Sequence, residues 1–187
     1  MSNFPQGKFN IIYADPPWKY GDSRNYKVKN NPSGAGGASK HYAVMSLEGI
    51  KSLPVADLID RESCFLFLWC TGPKMDWGIE VLKSWGFKFV TIVFDWVKVK
   101  NDYSGIRHDG IGCYTNNNTE YVLLGRVGKY QRANTGVRKI IEAPKMGHSQ
   151  KPPEVADRIV KLIGDLPRIE LFARDRKEGW EAWGNEI

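Results

Sequence analysis

The sequence predicts an α/β fold built on a mostly parallel sheet with helices packed on both of its faces. Three observations lead there. Short runs that are apolar throughout recur along the chain, as strands buried on both faces should be. Amphipathic helical patterns fall between some of these runs, the alternation that parallel connections require. The length, 187 residues, suits one core burying roughly 70% of the unfolded surface.

Strands are expected over "KFNIIYA" (8–14), "CFLFLW" (64–69), "FKFVTIVFDWV" (87–97), "EYVLLG" (120–125), "VRKII" (137–141) and "RIELFA" (168–173). A helix is expected in "PKMDWGIEVLKSWG", where Met75, Ile79, Leu82 and Trp85 recur three or four apart. A second is expected in "PPEVADRIVKLIG", with Val155, Ile159 and Leu162 on one face, Pro at the start and Gly at the end. Two stretches break the scheme, near 19–41 and 98–119: both are Gly-rich and basic, and they carry Tyr20, Tyr26, Tyr103 and Tyr114. Loops this long in a compact domain tend to be lids or binding segments. Positive charge interleaved with tyrosine suits a flexible nucleic-acid strand, although a simple flexible insertion fits either loop equally well. With no repeat or linker in view, residues 1–187 read as one domain.

Composition narrows the classes. Lys and Arg exceed Asp and Glu by 27 to 21, a net charge of +6, a modest bias toward polyanions. Cys64, Cys70 and Cys113 form no CxxC pattern, and His41, His108 and His148 are far apart, so neither a disulfide framework nor a metal site is expected. The N-terminal residues lack a basic-then-apolar leader, and "CFLFLWC" is far short of the roughly 20 residues of a membrane span. A soluble cytoplasmic protein is the expectation.

The chemistry concentrates in "NIIYADPPWKYGD", residues 10–22. If "NIIYA" is a strand of a doubly wound sheet, Asp15, Pro16, Pro17 and Trp18 follow its carboxyl end, where ligands bind in such sheets. Asp15 at a strand end is also at home in an ordinary turn or helix cap, and position alone leaves both readings open. The consecutive prolines change this. They remove two N–H donors and fix two φ angles, so the turn presents rigid carbonyl acceptors beside the acceptor carboxylate of Asp15. Such a group complements a planar ring bearing an exocyclic amine. Asp15 and the Pro16 carbonyl could each take one amine N–H, freeing the nitrogen lone pair, while Trp18 holds the base by stacking. An amine so prepared needs an electrophile that requires neither metal nor covalent enzyme intermediate, and the sulfonium methyl of S-adenosylmethionine is one. Asp15 would then orient the amine and stabilise the charge developing on it, rather than act as a strong base.

"DPPW" resembles the catalytic motif of amino-methyltransferases and, with its Trp ending, that of the MT-A family of N6-adenine methyltransferases. The resemblance continues in order through "HYAVMSLEGI" (41–50), "CFLFLWCTGPKM" (64–75), "EYVLLG" (120–125), "HSQKPPE" (148–154), "RIELFAR" (168–174) and "GWEAWGNE" (179–186), nearly the whole chain. It implies a Rossmann-like S-adenosylmethionine-dependent methyltransferase fold with a permuted motif order, the catalytic motif preceding the main cofactor segments. It further implies Asp15, Pro16, Pro17 and Trp18 as catalytic residues, and Asp15, Lys151, Arg174, Arg176, Asn185 and Glu186 at the cofactor. Trp18 and Tyr42 would lie near the target base. The implied reaction is methyl transfer to the adenine N6 amine in nucleic acid, DNA before RNA for a bacterial or viral source, with no metal. Cytosine N4, a protein amide and a non-catalytic nucleic-acid-binding subunit are the alternatives. Trp18 and the matching flanks argue against the first two, and the intact motif with the near-complete cofactor set argues against the third. A homodimer or paired subunit is suggested by analogy with the family alone.

Overall fold

The computed structural model describes residues 3–19, 44–107, 114–129, 131–147 and 150–187. Seven strands form one sheet: β1 (Ile11–Ala14), β2 (Ser63–Cys70), β3 (Lys88–Val99), β4 (Thr119–Gly128), β5 (Ile140–Pro144), β6 (Arg168–Leu171) and β7 (Glu181–Trp183). Their spatial order is β5-β3-β4-β2-β1-β6-β7. Three α-helices accompany them among the described residues: α1 (Leu47–Lys51), α2 (Met75–Ser84) and α3 (Glu154–Ile163).

The runs are apolar throughout because the sheet has a core on each face. Along β1, Ile12 and Ala14 join a cluster with Ile50 of α1 and Val81 and Leu82 of α2. The alternate residues, Ile11 and Tyr13, join a second cluster with Val155, Ile159 and Ile163 of α3. β2 repeats the division, Leu66 and Leu68 on one side and Phe65, Phe67 and Trp69 on the other. In β1 and β2 strand alternation therefore leaves no polar face, which is the pattern a sheet covered on both sides imposes.

Parallel pairing holds for β1 with β2 and β6, β6 with β7, and β3 with β5. β4 alone is reversed, antiparallel to both β2 and β3. No helix separates β3 from β4 in the described residues, and an antiparallel pair needs no crossover. The reversal matters for function. Six strands point their carboxyl ends to one edge of the sheet, and β4 begins at that same edge, with Glu120 paired to Trp96 and Tyr121 to Cys70.

Several boundaries differ from the sequence reading. β5 lies at Ile140–Pro144 rather than 137–141; as an edge strand it can end on a proline without losing a ladder bond. β3 runs on through Val99, two residues into the expected loop, and then turns back as a short hairpin closed by the bridge Val99↔Ile106. α1 and β7 were not anticipated, being five and three residues long, too short to show a period.

Candidate active site

Residues 15–18 leave β1 at the carboxyl edge. Pro16 and Trp18 are buried, whereas Asp15 and Pro17 are part-exposed. The main chain is tied at each step: Trp18 N–H donates to the Pro16 carbonyl at 2.8 Å, and Met45 N–H donates to the Pro17 carbonyl at 2.9 Å. One lone pair of the Pro16 oxygen is thus engaged and one is left for another donor. The Trp18 ring does not stand open beside Asp15 as a stacking platform. It is 5% exposed, sits in the core under α1 and α2, and its indole N–H donates to the Trp69 carbonyl at 3.2 Å. A buried indole needs an acceptor for its single donor, and that acceptor fixes the ring inward.

Asp15 meets Lys151 across 136 residues of sequence, Nζ to Oδ2 at 2.6 Å. Lys151 also approaches Glu120 Oε2 at 3.4 Å, and Glu120 in turn takes Lys98 at 2.7 Å. The lysine head further lies 5.3 Å from the centroid of the Trp69 ring. Two carboxylates and two ammonium groups thus alternate along the sheet edge, all largely withdrawn from water, with side chains 12–22% exposed. Burial raises the Asp15 carboxyl above its ordinary value, opposed by the charge of Lys151. Burial acts on Glu120 in the same sense, but the charges of Lys151 and Lys98 outweigh it and hold that carboxyl low. Glu120, with a cation on either side, is held low, whereas burial outweighs Lys151 at Asp15 and leaves it raised.

Beside Asp15 lies a cavity of about 380 Å³, between the ends of β1 and β6 and the start of α3. Its wall includes Asp15, Lys151, Phe172, Arg174 and Glu186. Tyr13 lines it with a hydroxyl that accepts from Trp69 Nε1 at 2.6 Å, and burial keeps that phenol neutral. Glu170 and Lys177, an ion pair, line it too; burial raises the Glu170 carboxyl against the pull of Lys177. Two backbone features shape this wall. Phe172, directly after β6, has φ 62°, a left-handed conformation that costs a bulky residue roughly 1–2 kcal/mol. The reversal lets Ala173 N–H donate to the Trp183 carbonyl at 2.9 Å. Gly184 then passes so close that a Cβ there would lie 2.0 Å from the Ala173 carbonyl oxygen. This close approach is what sets Arg174 and Glu186 on one wall, 3.6 Å apart.

Asp15, Lys151, Arg174 and Glu186 line one cavity together. Arg176 and Asn185 are exposed and do not line it. Tyr42 lies outside the described residues. The sequence reading missed Tyr13, Glu120, Phe172, Glu170 and Lys177. Glu120 opens a quoted strand motif and was legible as a charge at a strand start; the left-handed turn at Phe172 leaves no mark in residue type. Among the described residues no group of three or more His, Cys, Asp and Glu is placed to hold a metal ion, and no helix is long and apolar enough to cross a membrane.

Comparison with known proteins decides the family. The MT-A70 family model matches residues 9–186. The chain belongs to the MT-A70 family. It is 37% identical over 194 residues to the type II methyltransferase M.MunI of Mycoplasma sp, an alignment covering 98% of this chain and 79% of that protein. It is 30% identical over 184 residues to the human N(6)-adenosine-methyltransferase catalytic subunit METTL3, covering 97% of this chain and 28% of the relative. The MT-A70-like N(6)-adenosine-methyltransferase of Arabidopsis thaliana is 28% identical over 183 residues and is covered to 24%. The family expected from "DPPW" and its flanking motifs is thus the family found, and this MT-A70 chain carries its motif at the carboxyl edge of a seven-stranded sheet.

Proposed function

We propose that this MT-A70 protein transfers a methyl group from S-adenosylmethionine to the N6 amine of adenine in nucleic acid, with DNA as the acceptor. The observation that carries the reading is the Asp15–Lys151 pair, 2.6 Å apart at the wall of a 380 Å³ cavity that also holds Arg174 and Glu186. The donor set fits the cofactor's chemistry. Lys151 and Arg174 offer positive charge to a carboxylate, Asp15 offers a carboxylate to an ammonium group, Glu186 offers acceptors to ribose hydroxyls, and Phe172 offers a ring to adenine. The volume lies within the roughly 300–1,000 Å³ usual for such ligands. Asn185 and Arg176, close by in the chain, would complete the set at its exposed rim. When bound, the cofactor supplies the sulfonium methyl group. The higher identity and coverage against the type II methyltransferase favour DNA over RNA.

The chain's own part is positioning. Asp15 and the remaining lone pair of the Pro16 carbonyl accept the two amine N–H bonds and aim the nitrogen lone pair; the prolines hold both acceptors in place. Asp15 also faces the positive charge that grows on the nitrogen, and at this largely water-excluded edge a fixed carboxylate is worth more than in solution. Trp18, its buried indole bonded to the Trp69 carbonyl, serves by anchoring the turn, so the surface that stacks on the base comes from elsewhere. The test is direct. Purified protein is incubated with labelled cofactor and adenine-containing DNA or RNA, single- and double-stranded, and the products are digested to nucleosides. N6-methyladenine is expected, with DNA the better substrate; none on any substrate would refute the reading.

The protonation of Asp15 adds a pH signature. The group must be ionised to accept the amine N–H and to face the growing positive charge, so transfer falls as pH drops through its pKa. Because burial raises that pKa, the acid limb of kcat/KM should lie above the ordinary carboxylate value of 3.8. The negative charge of Glu120 contributes to the rise. Glu120→Gln should therefore move the acid limb to lower pH, and an unmoved limb would show that the limb reports another group.

A further inference from the structure

We propose that the hairpin at Lys98–Arg107 is a preformed docking element for the acceptor strand, in which Tyr103 stacks on an exposed base and Lys100 neutralises phosphate. The inference deepens the reading above and rests on nucleic acid being the acceptor. Tyr103 is 65% exposed and lies in the left-handed region at φ 57°. That conformation belongs to Gly or Asn; a bulky tyrosine there is strained, and such strain persists only where the surrounding structure imposes it. The surroundings do impose it. Lys100 N–H donates to the Gly105 carbonyl at 2.9 Å, Tyr103 N–H to the Lys100 carbonyl at 2.9 Å, and Arg107 N–H to the Lys98 carbonyl at 2.9 Å. Asp102 accepts from Ser104 N–H at 3.0 Å, and this bond holds its carboxyl low and ionised. The tip is thus a fixed turn that presents a phenol ring to solvent, and among the described residues the ring stacks on no other.

Charge and position agree with this assignment. The ten residues carry Lys98, Lys100 and Arg107 against Asp102, a net charge of +2 from three cations less one anion. Base–aromatic stacking beside positive charge is how flexible strands are held without regard to sequence. The hairpin also starts where the catalytic charges end: Lys98, at its foot, bonds Glu120 at 2.7 Å, Glu120 lies 3.4 Å from Lys151, and Lys151 2.6 Å from Asp15. The foot of the hairpin is therefore beside the edge that carries Asp15. Among the described residues, the Trp18 ring is buried whereas the Tyr103 ring is exposed.

The experiment compares Tyr103→Gly and Tyr103→Phe with the natural protein, measuring anisotropy of a fluorescein-labelled, adenine-containing single-stranded DNA, KM for the same oligonucleotide, and S-adenosylhomocysteine affinity by calorimetry. Tyr103→Gly should raise both Kd and KM for the oligonucleotide roughly tenfold, leave S-adenosylhomocysteine affinity unchanged, and Tyr103→Phe should restore binding to within about twofold. Glycine relieves the strained φ, so the melting temperature should not fall; if it does, Tyr103→Asn, which tolerates that conformation, replaces it. Oligonucleotide binding unchanged in the Gly variant, or as weak in the Phe variant as in the Gly variant, overturns the proposal. The two readings fail separately. Binding that depends on Tyr103 with no methyl product would refute methyl transfer and keep the docking element, whereas methylation with an unaltered KM in Tyr103→Gly would remove the docking element alone.

Discussion

Asp15→Asn should lower methyl transfer by roughly two to three orders of magnitude while leaving the protein as stable as before, or more so. The amide keeps the shape of the side chain and one acceptor oxygen, but it cannot face the positive charge that develops on the amine. The stability half of the expectation follows from the sign of the pKa shift. The folded state raises the Asp15 carboxyl above its unfolded value of 3.8, so folding favours the protonated form. As pH rises from 3.8 through the folded pKa, stability is lost, and at neutral pH the ionised group is a net cost. Removing the charge relieves that cost, and Lys151 keeps Glu120 as its partner. Stopped assays read the first effect and thermal unfolding at neutral pH the second. Calorimetry with S-adenosylhomocysteine separates the roles: retained affinity places Asp15 with the acceptor amine, and lost affinity places it chiefly with the cofactor. An Asn variant of normal activity would remove Asp15 from the chemistry altogether.

Gly184→Ala should be nearly as damaging, through the backbone. A methyl group at 184 would lie 2.0 Å from the Ala173 oxygen and 2.8 Å from the Ala173 nitrogen, atoms that no rotamer change can move aside. The two segments must part, stretching the Ala173–Trp183 hydrogen bond and loosening Trp183, which is buried against the ring of Phe172. Overpacking of this kind costs about 1–3 kcal/mol. Separation of Arg174 from Glu186 should also weaken S-adenosylhomocysteine binding. Gly136→Ala provides the comparison, since its nearest neighbour would be the Asn134 side-chain oxygen at 3.4 Å, and it should change neither melting temperature nor affinity. Equal behaviour of the two variants would show that the cavity wall does not depend on this approach.

The strands could be read from the sequence because both faces of the sheet are covered, which makes their runs apolar without interruption. α2 and α3 could be read because each is ten residues long and buries one stripe. What escaped depends on direction and φ. Alternating strands and helices imply parallel neighbours, so nothing in "EYVLLG" told that β4 runs backwards and lands Glu120 beside Lys151. Trp18 was assigned to the base because an indole next to acceptors suggests stacking, yet residue type cannot say which side of a turn a ring takes. The Trp69 carbonyl, 51 residues away, decides it. Asp15 came from its place beyond the first strand and Lys151 from family resemblance, and their meeting depends on sheet order, which pairs β1 with β6 and seats α3 over them. Tyr103 was noted in a basic loop, but that the loop is a closed hairpin with a strained tip follows from its hydrogen bonds alone.

The tied turn at residues 15–18 has a thermal meaning as well as a geometric one. Pro16 and Pro17 are restricted in the unfolded chain already, and Trp18 is anchored when the core forms, so the freedom of the acceptor groups is lost once, at folding. None of it has to be lost again in each catalytic cycle. The activation entropy of methyl transfer should then reflect the arrival of the base and little reordering of the protein around it. Warming would speed the bound complex mainly through its enthalpy of activation, up to the temperature at which the core holding Trp18 gives way.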